Sequence, residues 1–175
     1  MNISGFKSAL SGGGARPNQF QVRLTFPAVI PNATTAAQQG QFLCESSQLP
    51  GSVLGVAAAM YRGRRIPLAG ERQFQPWQFT VVNDESFLIR NTFESWMHYI
   101  NNVRDNTGVL NPNLYSVDMA VDHLDRNDIV IKTYQFRSAF PVNIDPINLN
   151  FGDNDQLQRF SVTMEYVSWD TPDLS

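Results

Sequence analysis

Residues 18–26 read NQFQVRLTF, and apolar and polar residues alternate along them without interruption. Successive side chains of a strand point to opposite faces, so this alternation predicts a strand with one face against a core. The same pattern returns at residues 159–166, RFSVTMEY. The apolar sides of the two segments consist of Phe20, Val22, Leu24 and Phe26, and of Phe160, Val162, Met164 and Tyr166. Two amphipathic strands near the two ends of the chain predict a mainly β protein.

Two further segments between these strands alternate in the same way. They span residues 77–82 and 115–122, and both are rich in the aromatic and β-branched residues that favour strands. The sequence Leu-Asp-Arg-Asn-Asp at residues 124–128 separates two alternating runs and predicts a tight hairpin turn. We therefore expect antiparallel strands connected by short turns.

One segment, from about Asp84 to Val103, has a helical period instead. Its apolar residues follow spacings of three and four, which is typical of a helix packed on one side. Asn83 or Asp84 would cap the helix, Glu85 would suit the first turn, and Arg104 would follow the last turn. The apolar stripe consists of Ile89, Phe93, Trp96, Met97, Ile100 and Val103.

The remaining segments predict loops around a single domain that covers residues 1–175. Residues 27–40, PAVIPNATTAAQQG, predict a surface loop, and residues 101–113 contain the Asn, Gly and Pro residues that favour turns. Residues 1–14 predict a flexible N-terminal arm, and residues 170–175 a C-terminal tail. The expected fold is mainly β (α+β), an antiparallel β-sandwich or small β-barrel with one flanking α-helix.

Composition excludes several classes of function. Sixteen acidic and thirteen basic residues give a formal charge of −3, which disfavours a general nucleic-acid or anionic-lipid binder. The single cysteine, Cys44, excludes an intrachain disulfide, and with only His98 and His123 beside it no tetrahedral zinc cluster is expected. We expect no signal peptide, no membrane span and synthesis in a reducing compartment.

No catalytic or cofactor motif is found. The run Gly12-Gly13-Gly14 lacks the Gly-Lys-Ser/Thr ending of a phosphate-binding loop, and no Gly-x-Ser-x-Gly element is present. Neighbouring helical residues project in different directions, so Asp84 and Glu85 do not form a catalytic pair. We predict no catalytic residue, no cofactor site and no metal site.

The segment VLGVAAAMYRGRRIPLAG at residues 53–70 has side chains too small to fill a core, yet it is not polar enough for a solvated loop. A long hairpin that lies against another chain would explain it, and an ordinary β-meander with its apolar face inside is the alternative. Three arginines here could contact phosphate, but carboxylates across an interface are the favoured partners. The candidate intersubunit residues are Val53, Leu54, Val56, Met60, Tyr61, Arg62, Arg64, Arg65 and Ile66.

The strand at residues 115–122 has a second notable face. Opposite its core side it carries short and acidic residues, and no cation occurs among them. An exposed face of this kind would repel polyanions. Its residues are Ser116, Asp118, Ala120 and Asp122.

Several of these segments occur together, in the same order, in a known family. The blocks are Ala15-Arg16-Pro17-Asn18 before Phe20-Gln21-Val22, Leu49-Pro50-Gly51, Arg64-Arg65-Ile66 followed by Ala69-Gly70-Glu71-Arg72-x-Phe74, and Trp77-x-x-Thr80-Val81-x-Asn83-Asp84. From about Ala15 to Trp169 the chain resembles the tail tube protein of contractile-tailed bacteriophages. It departs from the family at residues 27–40 and 101–113, which are both longer than expected.

The resemblance implies a structural virion protein, made in the host cytoplasm, without cofactor or enzymatic turnover. Its copies would form hexameric rings that stack into the inner tube of the tail, through which the genome passes. Tail sheath, baseplate and tail-terminator proteins would be its partners outside the lumen. Tape measure protein and genomic DNA would occupy the lumen without sequence-specific binding. The alternative is the inner tube of a contractile injection or type VI-like secretion system. Ser116, Asp118 and Asp122 are then the candidate lumen-facing residues.

Overall fold

The computed structural model describes residues 2–10 and 14–172. The strands are Phe20–Arg23 (β1), Cys44–Ser47 (β2), Ser52–Tyr61 (β3), Arg64–Phe74 (β4), Trp77–Val82 (β5), Val117–Leu124 (β6), Val130–Ile144 (β7), Arg159–Glu165 (β8) and Ser168–Asp170 (β9). The helices are Ile3–Ala9 (α1), Ala33–Leu43 (α2), Leu88–Ile100 (α3) and Pro112–Tyr115 (α4). The mainly β fold class is confirmed.

Most strands join one antiparallel path in the order β1-β6-β7-β8-β5-β2, with β9 added beside β7. Strand β7 belongs to two parts of this path, because its first part pairs with β6 and residues 140–144 pair with β8. A strand that changes partners in this way turns the corner between two packed sheet layers. The two end strands of the path, β1 and β2, approach each other, and α2 packs against both.

Aromatic side chains fill the space between the layers. Trp77 of β5 stacks on Phe136 of β7 with ring centroids 4.2 Å apart. Phe93 and Trp96 of α3 are fully buried, and both rings contact Phe26 just beyond β1. Each such ring removes a large apolar area from water, so these contacts contribute strongly to the stability of the fold. The core therefore ties α3 to both parts of the sheet.

The predicted helix is confirmed as α3, but it is shorter than the apolar stripe indicated. It begins at Leu88, because Phe87 has a left-handed backbone with φ of 53°. Asp84 still contributes, since its Oδ1 accepts a 3.3 Å hydrogen bond from the Leu88 N–H. The helix ends at Ile100, so Val103 is 87% exposed and Arg104 lies beyond the last turn.

The prediction of a surface loop at residues 27–40 is wrong, because most of it belongs to helix α2. Ala36 and Gly40 lie one turn apart on the buried face of α2. A Cβ at Gly40 would come within 2.6 Å of the Leu24 side chain, so the small residues allow the helix to pack closely on the end of β1. The architecture therefore has a second packed helix in addition to the predicted one.

The predicted break at residues 101–113 is confirmed. It contains a single bridge between Asn101 and Gly108 and leads into the four-residue helix α4. The predicted turn at residues 124–128 is also confirmed, and the Asp125 carboxylate accepts hydrogen bonds from the Asn127 and Ile129 N–H groups. The strand expected from residue 115 begins at Val117 instead.

The predicted N-terminal arm contains helix α1, of which no residue is buried. Of the glycine run, Gly12 and Gly13 lie outside the described residues. The predicted C-terminal tail begins within β9 at Asp170, and residues 173–175 also lie outside the described residues.

Candidate assembly surfaces

Strands β3 and β4 form a hairpin that is separate from the main sheet path. It runs from the pair Ser52 and Phe74 to the pair Tyr61 and Arg64. The two turn residues, Arg62 and Gly63, have φ values of 47° and 79°, as a two-residue hairpin turn of this hand requires. The segment is therefore a hairpin, as predicted, and its contact with another chain stays a prediction.

Both faces of the hairpin are open to solvent. Every residue of its strands is exposed except Gly55, Gly70 and Phe74. Its exposed apolar side chains include Met60, which is 72% exposed, and they show that the alternative of a meander with a buried apolar face is wrong. The other large exposed apolar residues are Val53, Leu54, Val56, Tyr61, Ile66 and Leu68. Many large exposed apolar side chains on one element are typical of a protein interaction site.

The base of the hairpin is attached firmly to the main body. The Tyr166 hydroxyl donates a 2.7 Å hydrogen bond to the Gln75 carbonyl, and the Trp169 Nε1–H donates one of 3.3 Å to the Gly51 carbonyl. The Phe74 ring also packs against both of these aromatic side chains. These contacts fix the point at which the hairpin leaves the sheet.

The arginines at the hairpin tip have no acidic partner within the described part of the chain. None of the ion pairs among the described residues includes Arg62, Arg64 or Arg65. The Arg62 guanidinium lies over the Tyr61 ring, 5.4 Å from its centroid. The tip thus presents unpaired positive charge beside exposed apolar side chains.

The outward face of β6 differs from the sequence-based expectation. Asp122 is only 4% exposed, and its Oδ2 lies 2.7 Å from Arg23 Nε on β1. Its Oδ1 accepts hydrogen bonds from Arg23 Nη2 at 3.0 Å and from the Thr133 hydroxyl at 2.6 Å. The expectation of an exposed face without cations is therefore wrong at this position, because β1 supplies an arginine to the carboxylate.

Asp118 is also paired, through a bulge in β7. The pairing of β6 with β7 shifts register opposite Asp118, where Ser138 has a left-handed φ of 53°. Asp118 Oδ1 accepts a 2.9 Å hydrogen bond from the Ser138 N–H, and its Oδ2 lies 2.8 Å from Arg137 Nη1. The Ser138 N–H and then Arg137 hold the pKa of this carboxyl below its usual value. Asp118 therefore stabilises the bulge at which β7 changes partners.

Sequence reasoning did not identify Arg23 and Arg137 as partners of the two carboxylates. Arg23 stands on the polar side of the alternating β1 segment, so its outward direction was predictable. The register that places it opposite Ala120 and beside Asp122 was not predictable from either strand alone.

A reactive thiol and a metal centre are two further kinds of site to consider among the described residues. Burial raises the pKa of the Cys44 thiol to about 12, so it is almost entirely protonated at neutral pH. Among the described residues, His, Cys, Asp and Glu form no cluster that could hold a metal ion. In the same part of the chain, no helix has the length and apolar character needed to cross a membrane.

The phage tail tube protein family matches residues 15–172 of the chain. The chain belongs to this family. The matched residues contain the β3–β4 hairpin, the outward face of β6 and the core helices α2 and α3. As a tail tube protein, the chain is a structural component of the virion.

Two named relatives are similar along almost their full length. The tail tube protein of Serratia phage KSP90 is 29% identical over 167 residues, which cover 94% of this chain and 93% of that protein. The tail tube protein gp19 of Enterobacteria phage T4 is 27% identical over 161 residues, which cover 91% of this chain and 93% of that protein.

Solved structures of parts of the anti-feeding prophage share the fold of this tail tube protein. A chain of the anti-feeding prophage cap, which terminates its tube, has a TM-score of 0.65 at 12% identity, with 90% of this chain and 89% of that chain covered. A chain of the anti-feeding prophage baseplate has a TM-score of 0.62 at 17% identity, with 90% of this chain and 94% of that chain covered. At these identities the likeness shows the fold alone.

Proposed function

We propose that this tail tube protein assembles into hexameric rings, and that the rings stack into the hollow inner tube of a contractile phage tail. The tube would be the conduit for delivery of the genome into the host. The observation that carries this proposal is the β3–β4 hairpin, which within residues 2–10 and 14–172 is anchored at its base alone and exposes apolar side chains on both faces. A monomer gains no burial from such an element, whereas repeated contacts between identical copies would bury it.

The hairpin also has the open edges that self-assembly requires. Strands β3 and β4 pair only with each other in the described part of the chain, so each presents a free row of backbone N–H and C=O groups. Free edges of this kind pair readily with a strand of another molecule. The hairpin residues from Val53 to Ile66 are therefore the proposed contacts between subunits.

The outward face of β6 remains the proposed wall of the channel, with a revised chemistry. Asp118 contributes a polar group to this face, Asp122 lies beneath it, and Ser116 directly precedes β6 as the C-terminal cap of α4. Arg23 pairs with Asp122 and Arg137 pairs with Asp118, so the wall would carry paired charges of both signs. Paired charges offer DNA few free cations, which favours passage without sequence-specific binding.

The partners follow from the position of such a tube. Its outer surface would contact the tail sheath protein, and its ends would contact baseplate and tail-terminator proteins. The lumen would hold the tape measure protein and then genomic DNA. The role is structural and involves no turnover of a substrate. The family match and both phage relatives favour a phage tail over the alternative of a contractile injection system.

Shortening the hairpin tests this function. In one variant a two-residue Asn-Gly turn replaces residues 55–71, which joins Leu54 to Arg72, a pair that already faces across the hairpin. The wild-type chain should form rings and larger assemblies in sedimentation velocity as its concentration rises. The shortened variant should remain monomeric with an unchanged melting temperature of the main body.

Point variants provide a matched control for the shortened hairpin. Met60→Ser removes an exposed apolar side chain of the hairpin, and Val103→Ser removes one elsewhere, at 87% exposure. The first should weaken assembly and the second should leave it unchanged. Normal assembly of the shortened variant would refute the role of the hairpin, and a wild-type chain that never assembles would refute the tube.

A further inference from the structure

The connection between β7 and β8, residues 145–158, is a second surface that lacks a partner. It contains Asp145, Asp153 and Asp155 and no Lys or Arg, so its formal charge is −3. Leu149 and Phe151 are 84% and 107% exposed, and Leu157 is 66% exposed. Exposed apolar side chains next to unneutralised acidic groups are typical of a surface that another protein covers.

This connection and the hairpin lie at opposite ends of the same sheet layer. The chain leads from the hairpin into β5 at Trp77, and Trp77 pairs with Met164 near the end of β8. The connection at residues 145–158, called the acidic connection below, leads into β8 at Arg159, and Arg159 pairs with Val82 at the end of β5. A 2.8 Å hydrogen bond from the Asn83 N–H to the Gln158 carbonyl holds the connection at that end. Copies stacked along the strand direction in the same orientation would therefore bring the base of one hairpin toward the acidic connection of the next copy.

The two surfaces are also complementary in charge and chemistry. Residues 60–66 of the hairpin tip carry Arg62, Arg64 and Arg65 and no acidic residue, a formal charge of +3 against −3. The acidic connection surrounds a depression that is lined by Leu149, Asp153 and Leu157 among others, and at its edge by Arg159, whose charge is paired with Glu45. An arginine can lay its apolar stem against leucine side chains while its guanidinium binds a carboxylate.

We propose that the hairpin tip of one copy docks on residues 145–158 of a second copy. The contact joins two different surfaces, and such heterologous contacts repeat without end unless they close into a ring. It would thus be the axial contact that adds one ring to the next. This inference rests on the proposed tube, because it names the acceptor that the hairpin uses during assembly.

Charge reversal on each side, and on both sides together, tests the pairing. The hairpin variant is Arg64→Glu with Arg65→Glu, and the loop variant is Asp153→Arg with Asp155→Arg. Each alone should raise the concentration at which tubes form at least tenfold, and the combined variant should restore tube formation. Lys7→Glu with Arg126→Glu changes the net charge as much as the hairpin variant does, at exposed positions outside residues 52–74 and 145–158, and should have no effect. Circular dichroism checks that each variant is folded.

Cross-linking gives a second readout that does not depend on charge reversal. Two chains are prepared in a Cys44→Ala background, one with Arg64→Cys and one with Asp153→Cys, and are mixed under assembly conditions. A bifunctional maleimide should join the two different chains and should not join two copies of either one.

The outcomes separate this inference from the proposed function. If the wild type forms tubes but the loop variant forms them at the same concentration, the acceptor is wrong and the tube stands. Failure of the combined variant to recover, together with absence of the mixed cross-link, also overturns the acceptor. A wild-type chain that stays monomeric, with a preformed baseplate as well as without it, overturns the tube and this inference with it.

Discussion

Asp122 provides a direct test of the buried charge pair behind the outward face of β6. The Asp122→Asn substitution keeps the shape of the side chain and can retain the 2.6 Å hydrogen bond from Thr133. It removes the negative charge whose two oxygens lie 2.7 Å from Arg23 Nε and 3.0 Å from Arg23 Nη2. It also replaces a hydrogen-bond acceptor with an NH₂ donor, and a guanidinium has no acceptor to offer that donor.

The expected loss of stability follows from the burial of the two partners. Removal of one member of a fully buried ion pair costs about 3 to 5 kcal/mol. The Arg23 side chain is 48% exposed and can turn toward water, so the cost here should be nearer ~2 kcal/mol. For a chain of 175 residues this corresponds to a fall in melting temperature of ~4 to 8 °C.

The assay is urea and thermal unfolding in the hairpin-shortened background, because assembly would otherwise add to the apparent stability. Asp105→Asn, at an exposed carboxylate, is the control and should change the free energy of unfolding by less than ~0.5 kcal/mol. A double-mutant cycle with Arg23→Gln should show a coupling of ~1 to 2 kcal/mol. Strict additivity of the two single substitutions would refute the pairing of these residues.

Three further predictions concern other parts of the chain. The hydrogen bond from the Ser138 N–H lowers the pKa of Asp118 below 3.8, so its stabilisation is present above about pH 4 and is lost as the pH falls through the lower folded pKa. Asp118→Asn should lower the melting temperature at neutral pH and weaken its acid dependence, and an unchanged pH profile would contradict the bulge contact. Gly108→Ala would place a Cβ 2.5 Å from the Ile100 carbonyl and should cost ~1 to 3 kcal/mol in urea unfolding, whereas a stabilised variant would show that this close approach is absent. The Cys44 thiol, with a pKa of about 12, should react with a disulfide reagent at pH 8 far more slowly in the folded chain than in guanidinium, and equal rates would argue against its burial.

The sequence predicted the strands whose own residues alternate. Strands β1, β5 and β8 each bury one side against the core, so the period of two is visible without knowledge of their neighbours. Helix α2 was missed because its packing depends on small residues such as Ala36 and Gly40, which produce little apolar periodicity. The length of α3 was overestimated because Val103 continues the apolar spacing after the helix has ended.

Of the candidate surfaces, one was predictable from the sequence and the others were not. The hairpin was predictable because residues 53–70 are rich in alanine and interrupted by glycines, which suits neither a packed core nor a solvated loop. The environment of Asp122 was not, because its partner Arg23 belongs to a strand almost one hundred residues earlier, and only the register of β1 on β6 brings them together. Residues 145–158 have no periodic pattern, and their importance becomes visible only from their place at the end of the sheet opposite the hairpin.

Electron microscopy of the purified full chain tests the central claim most directly. Negatively stained samples over a range of concentrations should show rings with a central channel, six-fold in class averages, and hollow tubes of stacked rings at the higher concentrations. A preformed baseplate should lower the concentration at which the tubes appear. Dispersed monomers at every concentration, with the baseplate as well as without it, would contradict the account.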